Sequence, residues 1–318
     1  MMDVGFRIIV ALLAAFLAAL ASSGVWASQH RDGAIVLILN NWASQQVLTE
    51  VYADLLRRNG FDVAETELDI ANQFGALARG AAHVQVEAWA TSAAYAFDSA
   101  IKSGDIKVVG YHTAHGREGW WYPGYMKERC PGLPDWHALR KCAKVFQTGE
   151  TAPKGRYIAG IWDNAENLRI DALGLPFKAL RVRYDRAFWT AFRNAYRNHE
   201  PILFYNWTTH WSNVTFKGEY VDFPAFEPAC LTDPAWGPNP KKTHDCNIIV
   251  RDRLMKVAWA NFQYAHPCAY RILKNMEFDD HDLQQLAYRV DMQNKPAQTV
   301  AQSWLDKHED TWSDWMCR

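Results

Sequence analysis

The stretch Ile35-Val-Leu-Ile-Leu-Asn-Asn-Trp-Ala-Ser-Gln-Gln-Val-Leu-Thr-Glu-Val-Tyr52 decides the reading of this chain. Five apolar residues lead into Asn40 and Asn41, Trp42 follows, and apolar residues at helical spacing begin near Ser44. This is the pattern of a buried strand, its exposed C-terminal end and the start of a crossover helix. Open α/β sheets place their ligands at that end of the strands. Trp42 is therefore either core or one wall of a ligand site.

The alternation continues outward. The predicted helix from Ser44 stops at Asn59, before Gly60. Strands are predicted over Phe61–Leu68, Val84–Trp89 and Ile106–Tyr111, with helices over Asn72–Arg79 and Ser92–Lys102. A second alternation predicts strands over Tyr157–Ile161, Ala179–Val182 and Ile202–Tyr205, with helices over Trp136–Val145, Asn164–Leu173 and Arg186–Tyr196. Repeated strand–helix units imply α/β layers with a parallel sheet covered on both faces. At 318 residues and 49% hydrophobic content, the chain can form two lobes. Residues 112–123 are expected to be where it leaves the first lobe, and the proline-rich stretch 216–247 to carry the return. Ile248–Val250 is a further candidate strand, and the remainder from Arg253 has a helical pattern.

The N-terminus predicts export. Arg7 precedes the apolar run Ile8–Ala21, and Val25-Trp26-Ala27 suits a signal peptidase, so cleavage is expected after Ala27. The run is shorter than the roughly 20 apolar residues of a membrane span. Six cysteines in the exported part suggest disulfides, for which the local pairing Cys130–Cys142, Cys230–Cys246 and Cys268–Cys317 is expected. A formal net charge of -1, with no basic run, argues against nucleic-acid binding.

Fifteen tryptophans are available, and predicted strand ends carry Trp42, Trp89, Trp162 and Trp207. Trp120, Trp121 and Tyr122 lie near the expected crossing. Indole faces attract a cation that needs no hydrogen-bond acceptors, which describes a quaternary ammonium. For a ligand's other end, Asn164 at a predicted helix start is one anchor, and Asn41, Ser44 and Gln46 are others. Glu118 and Asp163 are acceptors for a cation or a hydroxyl. Trp136, Trp189, Trp259, Trp304, Trp312 and Trp315 sit in helical patterns and read as core.

Catalytic signals are weak. No serine sits in a GxSxG elbow, and no HExxH is present. His112, His115 and Glu118 are the candidates for a metal group, and Asp222, Glu227 and Asp233 for a structural calcium loop. Neither has a ligand signature, and no metal or other cofactor is expected. Two matches to the glycosylation acceptor pattern, at Asn206 and Asn213, carry no weight in a bacterial export context.

The segments NNWASQQVLTEVYADLL (Asn40–Leu56), VQVEAW (Val84–Trp89), GREGWWYPGYM (Gly116–Met126), PILFYNWTTHW (Pro201–Trp211), DPAWG (Asp233–Gly237) and WLDKHEDTWSDW (Trp304–Trp315) resemble the periplasmic substrate-binding components of glycine betaine/choline-type ABC transporters. The resemblance implies the periplasmic binding protein fold, two α/β lobes around a hinge with the ligand in the cleft. It implies residues 28–111 and 219–318 for the first lobe and 112–218 for the second. Trp42, Trp162 and Trp207 match box residues, with Trp89, Trp120 and Trp121 at aromatic positions of some relatives. The backbone at Asp163 and Asn164 would hold a ligand carboxylate. Gln46 stands where some betaine binders carry histidine. The function implied is non-enzymatic capture of a methylated ammonium osmolyte, glycine betaine first and choline or trimethylamine N-oxide as alternatives, for delivery to an inner-membrane permease by a monomer. A reading of another class, an exported hydrolase of choline esters, needs a nucleophile, base and acid that converge in the cleft.

Overall fold

A computed structural model describes residues 33–89, 94–161, 165–248 and 254–317. From Ile35 onward the chain forms two five-stranded sheets. The first contains β1 (Ile35–Leu39), β2 (Val63–Glu67), β3 (Val84–Ala88), β4 (Ile106–Tyr111) and, from much later in the chain, β10 (Met255–Trp259). The second contains β5 (Glu118–Pro123), β6 (Gly155–Gly160), β7 (Phe177–Val182), β8 (Phe204–Trp207) and β9 (Gly218–Tyr220). The helices of six residues or more are α1 (Ala43–Arg58), α2 (Gln73–Ala78), α3 (Ala94–Ser103), α4 (His137–Cys142), α5 (Glu166–Ala172), α6 (Arg186–Arg197), α7 (Pro267–Asn275), α8 (Asp280–Asp291) and α9 (Ala297–Leu305).

The opening stretch folds as its pattern predicts. Ile35, Leu37 and Ile38 are buried in β1, and Val47, Leu48, Val51, Tyr52, Leu55 and Leu56 are wholly buried along α1. Burying each of these large side chains contributes about 1.5–3 kcal/mol. α8 and α9 from the C-terminal region pack onto α1. The Tyr52 hydroxyl donates to the Ala269 carbonyl at 2.7 Å, which ties α1 to α7.

Strand order is β2-β1-β3-β10-β4 in the first sheet and β7-β6-β8-β5-β9 in the second. β1 is parallel to β2 and β3, and β6 is parallel to β7 and β8. β10 runs antiparallel between β3 and β4, and β5 antiparallel between β8 and β9. The sheets are therefore mixed rather than wholly parallel. In each, the antiparallel strand comes from chain that has just crossed over. Two local readings are corrected. Residues 118–123 form a buried strand and not only a crossing. Met255–Trp259 is a strand inside a stretch read as helical.

β9 pairs with β5, so Glu219 and Tyr220 still belong to the second sheet. The loop beyond them also rests there: Asp222 bridges to Asp135, the Arg169 Nε donates to the Cys246 carbonyl at 2.8 Å, and the Asn239 amide donates to the Ala172 carbonyl at 2.7 Å. The return to the first sheet thus comes later than residue 219. Part of the predicted strand Ile248–Val250 lies outside the described residues. Disulfides join Cys130–Cys142, Cys230–Cys246 and Cys268–Cys317, the local pairing expected. No helix among the described residues is long and apolar enough to cross a membrane.

Candidate functional site

The C-terminal ends of β1 and β3 and the facing end of the second sheet border a cavity of about 270 Å³, partly open to solvent, lined by Trp42, Ile70, Trp89, Glu118, Tyr205 and Trp207. Trp42 follows β1 and opens α1, Trp89 follows β3, and Trp207 ends β8. The three rings are 7%, 5% and 8% exposed. Strand ends that look equivalent in the sequence therefore converge from two sheets on one space.

The first-sheet rings share an anchor. Glu87, on β3 and wholly buried, accepts at Oε1 from the Trp42 Nε1 at 2.9 Å, the Trp89 Nε1 at 2.8 Å and the Ser44 hydroxyl at 3.0 Å. Burial pushes its carboxyl up to about 7, against the lowering effect of the Trp89, Trp42 and Ser44 donors. Next to it a buried amide network fixes the turn from β1 into α1. The Gln45 Oε1 accepts from the Asn40 backbone at 2.8 Å, the Gln45 Nε2 donates to Gln85 at 3.0 Å, and the Gln85 Oε1 accepts from the Glu87 backbone at 3.0 Å. Satisfied buried polar groups of this kind hold backbone and side chains in one arrangement.

The second-sheet wall is built from register. Glu118 on β5 sits opposite Trp207 on β8, and the buried Tyr205 hydroxyl donates to the Glu118 Oε1. Behind Trp207, Tyr184 lies parallel at 6.3 Å and His210 meets its ring edge-on at 4.5 Å. The Tyr184 hydroxyl donates to the Tyr205 carbonyl at 2.7 Å. His210 is stacked on Trp189 at 4.6 Å, and burial pushes its imidazole down to about 3, so it stays neutral.

A second, more polar space of about 420 Å³ adjoins the first, sharing Trp42 and Trp207 and reaching Gln46, His210 and Asp291. The Trp211 Nε1 donates to the Asp291 Oδ2 at 2.9 Å, and the Gln284 side chain donates to the Thr208 carbonyl at 2.7 Å. Both bonds run between α8 and the loop after β8. Burial pushes the Asp291 carboxyl up to about 6, which the Trp211 hydrogen bond partly offsets.

Of the residues singled out from sequence, Trp42, Trp89, Trp207 and Glu118 line the cavity. Gln46 does not; it is half-buried in the adjoining space, and its amide donates to the Asn40 carbonyl at 3.1 Å. Trp120 and Trp121 are core. Trp120 shares the Glu118 face of β5 but lies two residues further along, stacked on Tyr157 at 3.8 Å and met by Phe223 at 5.3 Å. Trp121 points to the opposite face, against Phe204 at 5.2 Å. It lies so close to Gly218 that a Cβ there would approach its ring to 1.9 Å. Trp162, Asp163 and Asn164 lie outside the described residues.

Glu87 and Tyr205 were missed by sequence reasoning. The only signal for Glu87 was an acidic residue alternating with Gln85 in an otherwise apolar strand. Among the described residues, the side chains that could together hold a metal ion are Asp279, His281 and Asp282, away from the cavity lining. His112 is buried with its Nε2 on the Val86 carbonyl at 2.8 Å, and His115 pairs with Asp280, so the two histidines do not join Glu118 in a metal group.

Comparisons with known proteins bear on the family and the fold. Residues 33–307 match the model of the substrate binding domain of ABC-type glycine betaine transport systems. The chain is 27% identical over 317 residues to the trimethylamine N-oxide-binding protein of Pelagibacter ubique (strain HTCC1062), covering 96% of this chain and 98% of that one. Its fold is similar to that of lactococcal OpuAC in its closed-liganded conformation with glycine betaine, at a TM-score of 0.65, 20% identity and coverage of 90% and 100%. It is similar in the same way to an ABC-transporter choline binding protein in complex with choline, at a TM-score of 0.68, 14% identity and coverage of 89% and 91%. With two mixed α/β sheets in a periplasmic binding protein fold and the family match running through nearly all of the described residues, the chain belongs to the substrate-binding domains of ABC-type glycine betaine transport systems.

Proposed function

We propose that this chain captures a small methylated ammonium compound in the cavity between Trp42, Trp89 and Trp207, and delivers it to a membrane permease. The observation that carries the reading is the convergence of three buried indoles and the Glu118 carboxyl group on one small, largely apolar space. A methylated ammonium is cheap to desolvate and is attracted by each ring face. Trp162, Asp163 and Asn164, which follow β6 in the sequence, are further candidate ligand contacts. Residues 1–27 act as a cleaved signal, and the mature protein works as a monomer in the periplasm. The family is one of transport proteins, which disfavours the hydrolase reading.

Within the ligand class, Glu118 favours trimethylamine N-oxide over glycine betaine. A betaine carboxylate placed against Glu118 would meet like charge, whereas an N-oxide oxygen is a single strong acceptor that can share a proton with that carboxyl group. The likeness to a protein named for trimethylamine N-oxide supports the same choice. Calorimetric titration of residues 28–318 with trimethylamine N-oxide, choline and glycine betaine tests both levels. The N-oxide is expected to bind tightest. Tighter binding of glycine betaine would remove the Glu118 reading, and no binding of any methylated ammonium would remove the function.

A further inference from the structure

Glu87 does not line the cavity, yet one of its oxygens receives both first-sheet indoles and the Ser44 hydroxyl. Its other oxygen, Oε2, is buried with no hydrogen-bond partner among the described residues. A merely structural acceptor for two N–H groups need not be acidic, since an amide oxygen would serve. A carboxylate at this place adds negative charge at the N–H edges of two rings that line the cavity. Donation to an anion also raises the electron density of each indole, which strengthens cation–π attraction.

We propose that Glu87 is the positioning residue of the cation box, fixing the planes of Trp42 and Trp89 together and coupling ligand binding to release of a proton from its own carboxyl group. The inference rests on the function proposed above. Burial, partly offset by the Trp89, Trp42 and Ser44 donors, raises the carboxyl to about 7 and keeps part of the Glu87 population protonated at neutral pH. A bound ammonium group favours the ionised form, so binding and proton loss reinforce each other by linkage. The sign follows: affinity is full above pH 7 and falls as the pH drops through 7, because below it the cation must first displace a proton.

Other titratable groups near the site differ in position. Lys256 on the neighbouring β10 turns its ammonium group to the Lys274 and Met276 carbonyls of the α7 end. His112, after β4, is held neutral by burial, at about 3. Glu118 faces the cavity from β5, and His210 and Asp291 face the adjoining space. Of these, Glu118 and Asp291 are the competing proton sources that the test must separate from Glu87.

The test is calorimetric titration of residues 28–318 with trimethylamine N-oxide at pH 6, 7 and 8, in buffers of different ionisation enthalpy. The wild type is expected to bind about tenfold more weakly at pH 6 than at pH 8 and to release close to one proton at pH 6. Glu87→Gln keeps an acceptor for the rings, and is expected to bind more weakly at pH 8 and to lose both the proton release and the pH slope. Proton release that persists in Glu87→Gln, or that vanishes instead in Asp291→Asn or Glu118→Gln, overturns the inference. If Glu87→Gln does not fold, the wild type decides alone, and binding without proton release between pH 6 and 8 overturns the inference. A wild type that binds no methylated ammonium at any pH overturns the proposed function itself, a result distinct from binding without proton release.

Discussion

In the first sheet β1 and β3 lie side by side and lead into Trp42 and Trp89; in the second, β6 and β8 occupy the equivalent places, and β8 ends in Trp207. The strand plan is the same, down to the one antiparallel strand inserted next to β3 and β8. The means of holding the rings differ. On the first side a single carboxyl oxygen takes both indole N–H groups. On the second, Trp207 is backed by Tyr184 and His210, and the carboxyl group on that side, Glu118, faces the cavity itself. Equivalent topology thus brings rings from both sheets to one cavity, while side-chain chemistry pins the first-sheet rings on a buried carboxyl group and leaves the second with a carboxyl group that faces the cavity.

The largest expected effect breaks the pinned half. Glu87→Leu leaves two buried indole N–H groups and a hydroxyl without an acceptor, and is expected to cost about 2–4 kcal/mol of stability in denaturant unfolding. A loss below about 0.5 kcal/mol would show that the anchor is not structural. Next, Glu118→Leu removes the polar contact of the other half. Binding of trimethylamine N-oxide should weaken by about 1.5–3 kcal/mol in calorimetry, with glycine betaine unchanged or strengthened. Equal losses for both ligands would place Glu118 outside the recognition of the ligand's polar end. Trp207→Ala should weaken methylated ammonium binding by at least about 1–2 kcal/mol, without the N-oxide preference changing.

A smaller effect comes from Asp291, which joins α8 to the loop after β8. Its folded carboxyl is raised to about 6, mainly by burial. A raised carboxyl is a penalty present above the folded value and relieved as the pH falls towards the unfolded one. Asp291→Asn should therefore be more stable than wild type at pH 8, by about 1 kcal/mol since the side chain keeps 22% exposure. The difference should vanish near pH 4, as read by chemical unfolding at both values. The smallest effect is expected for Gln46→Ala, which should change N-oxide binding by less than about 0.5 kcal/mol, because Gln46 lies in the adjoining space and bonds the Asn40 carbonyl.

Much of this was legible in the sequence where local pattern and tertiary burial agree. Ile35–Tyr52 reads as strand and helix because its apolar spacing is the spacing that the core demands, and Trp42, Trp89 and Trp207 are found from their place after strands. Met255–Trp259 was missed because a five-residue strand among helices has no periodicity of its own; its identity comes from the β3 and β4 edges that it fills. Trp120 and Trp121 misled for a related reason. Adjacent residues on a strand face opposite ways, and how far a ring lies from the strand end decides whether it meets the cleft or the core. Glu87 could not be assigned before Trp42, Ser44 and Trp89 were brought within 3.0 Å of it.

The central claim is that one cation box is assembled from both sheets. It is tested most directly by titrating trimethylamine N-oxide into the wild type, Trp89→Ala and Trp207→Ala in parallel by calorimetry. The account predicts binding by the wild type and a loss of about tenfold or more in each variant. Wild-type affinity in either variant would contradict it, because that sheet would then contribute no wall to the site.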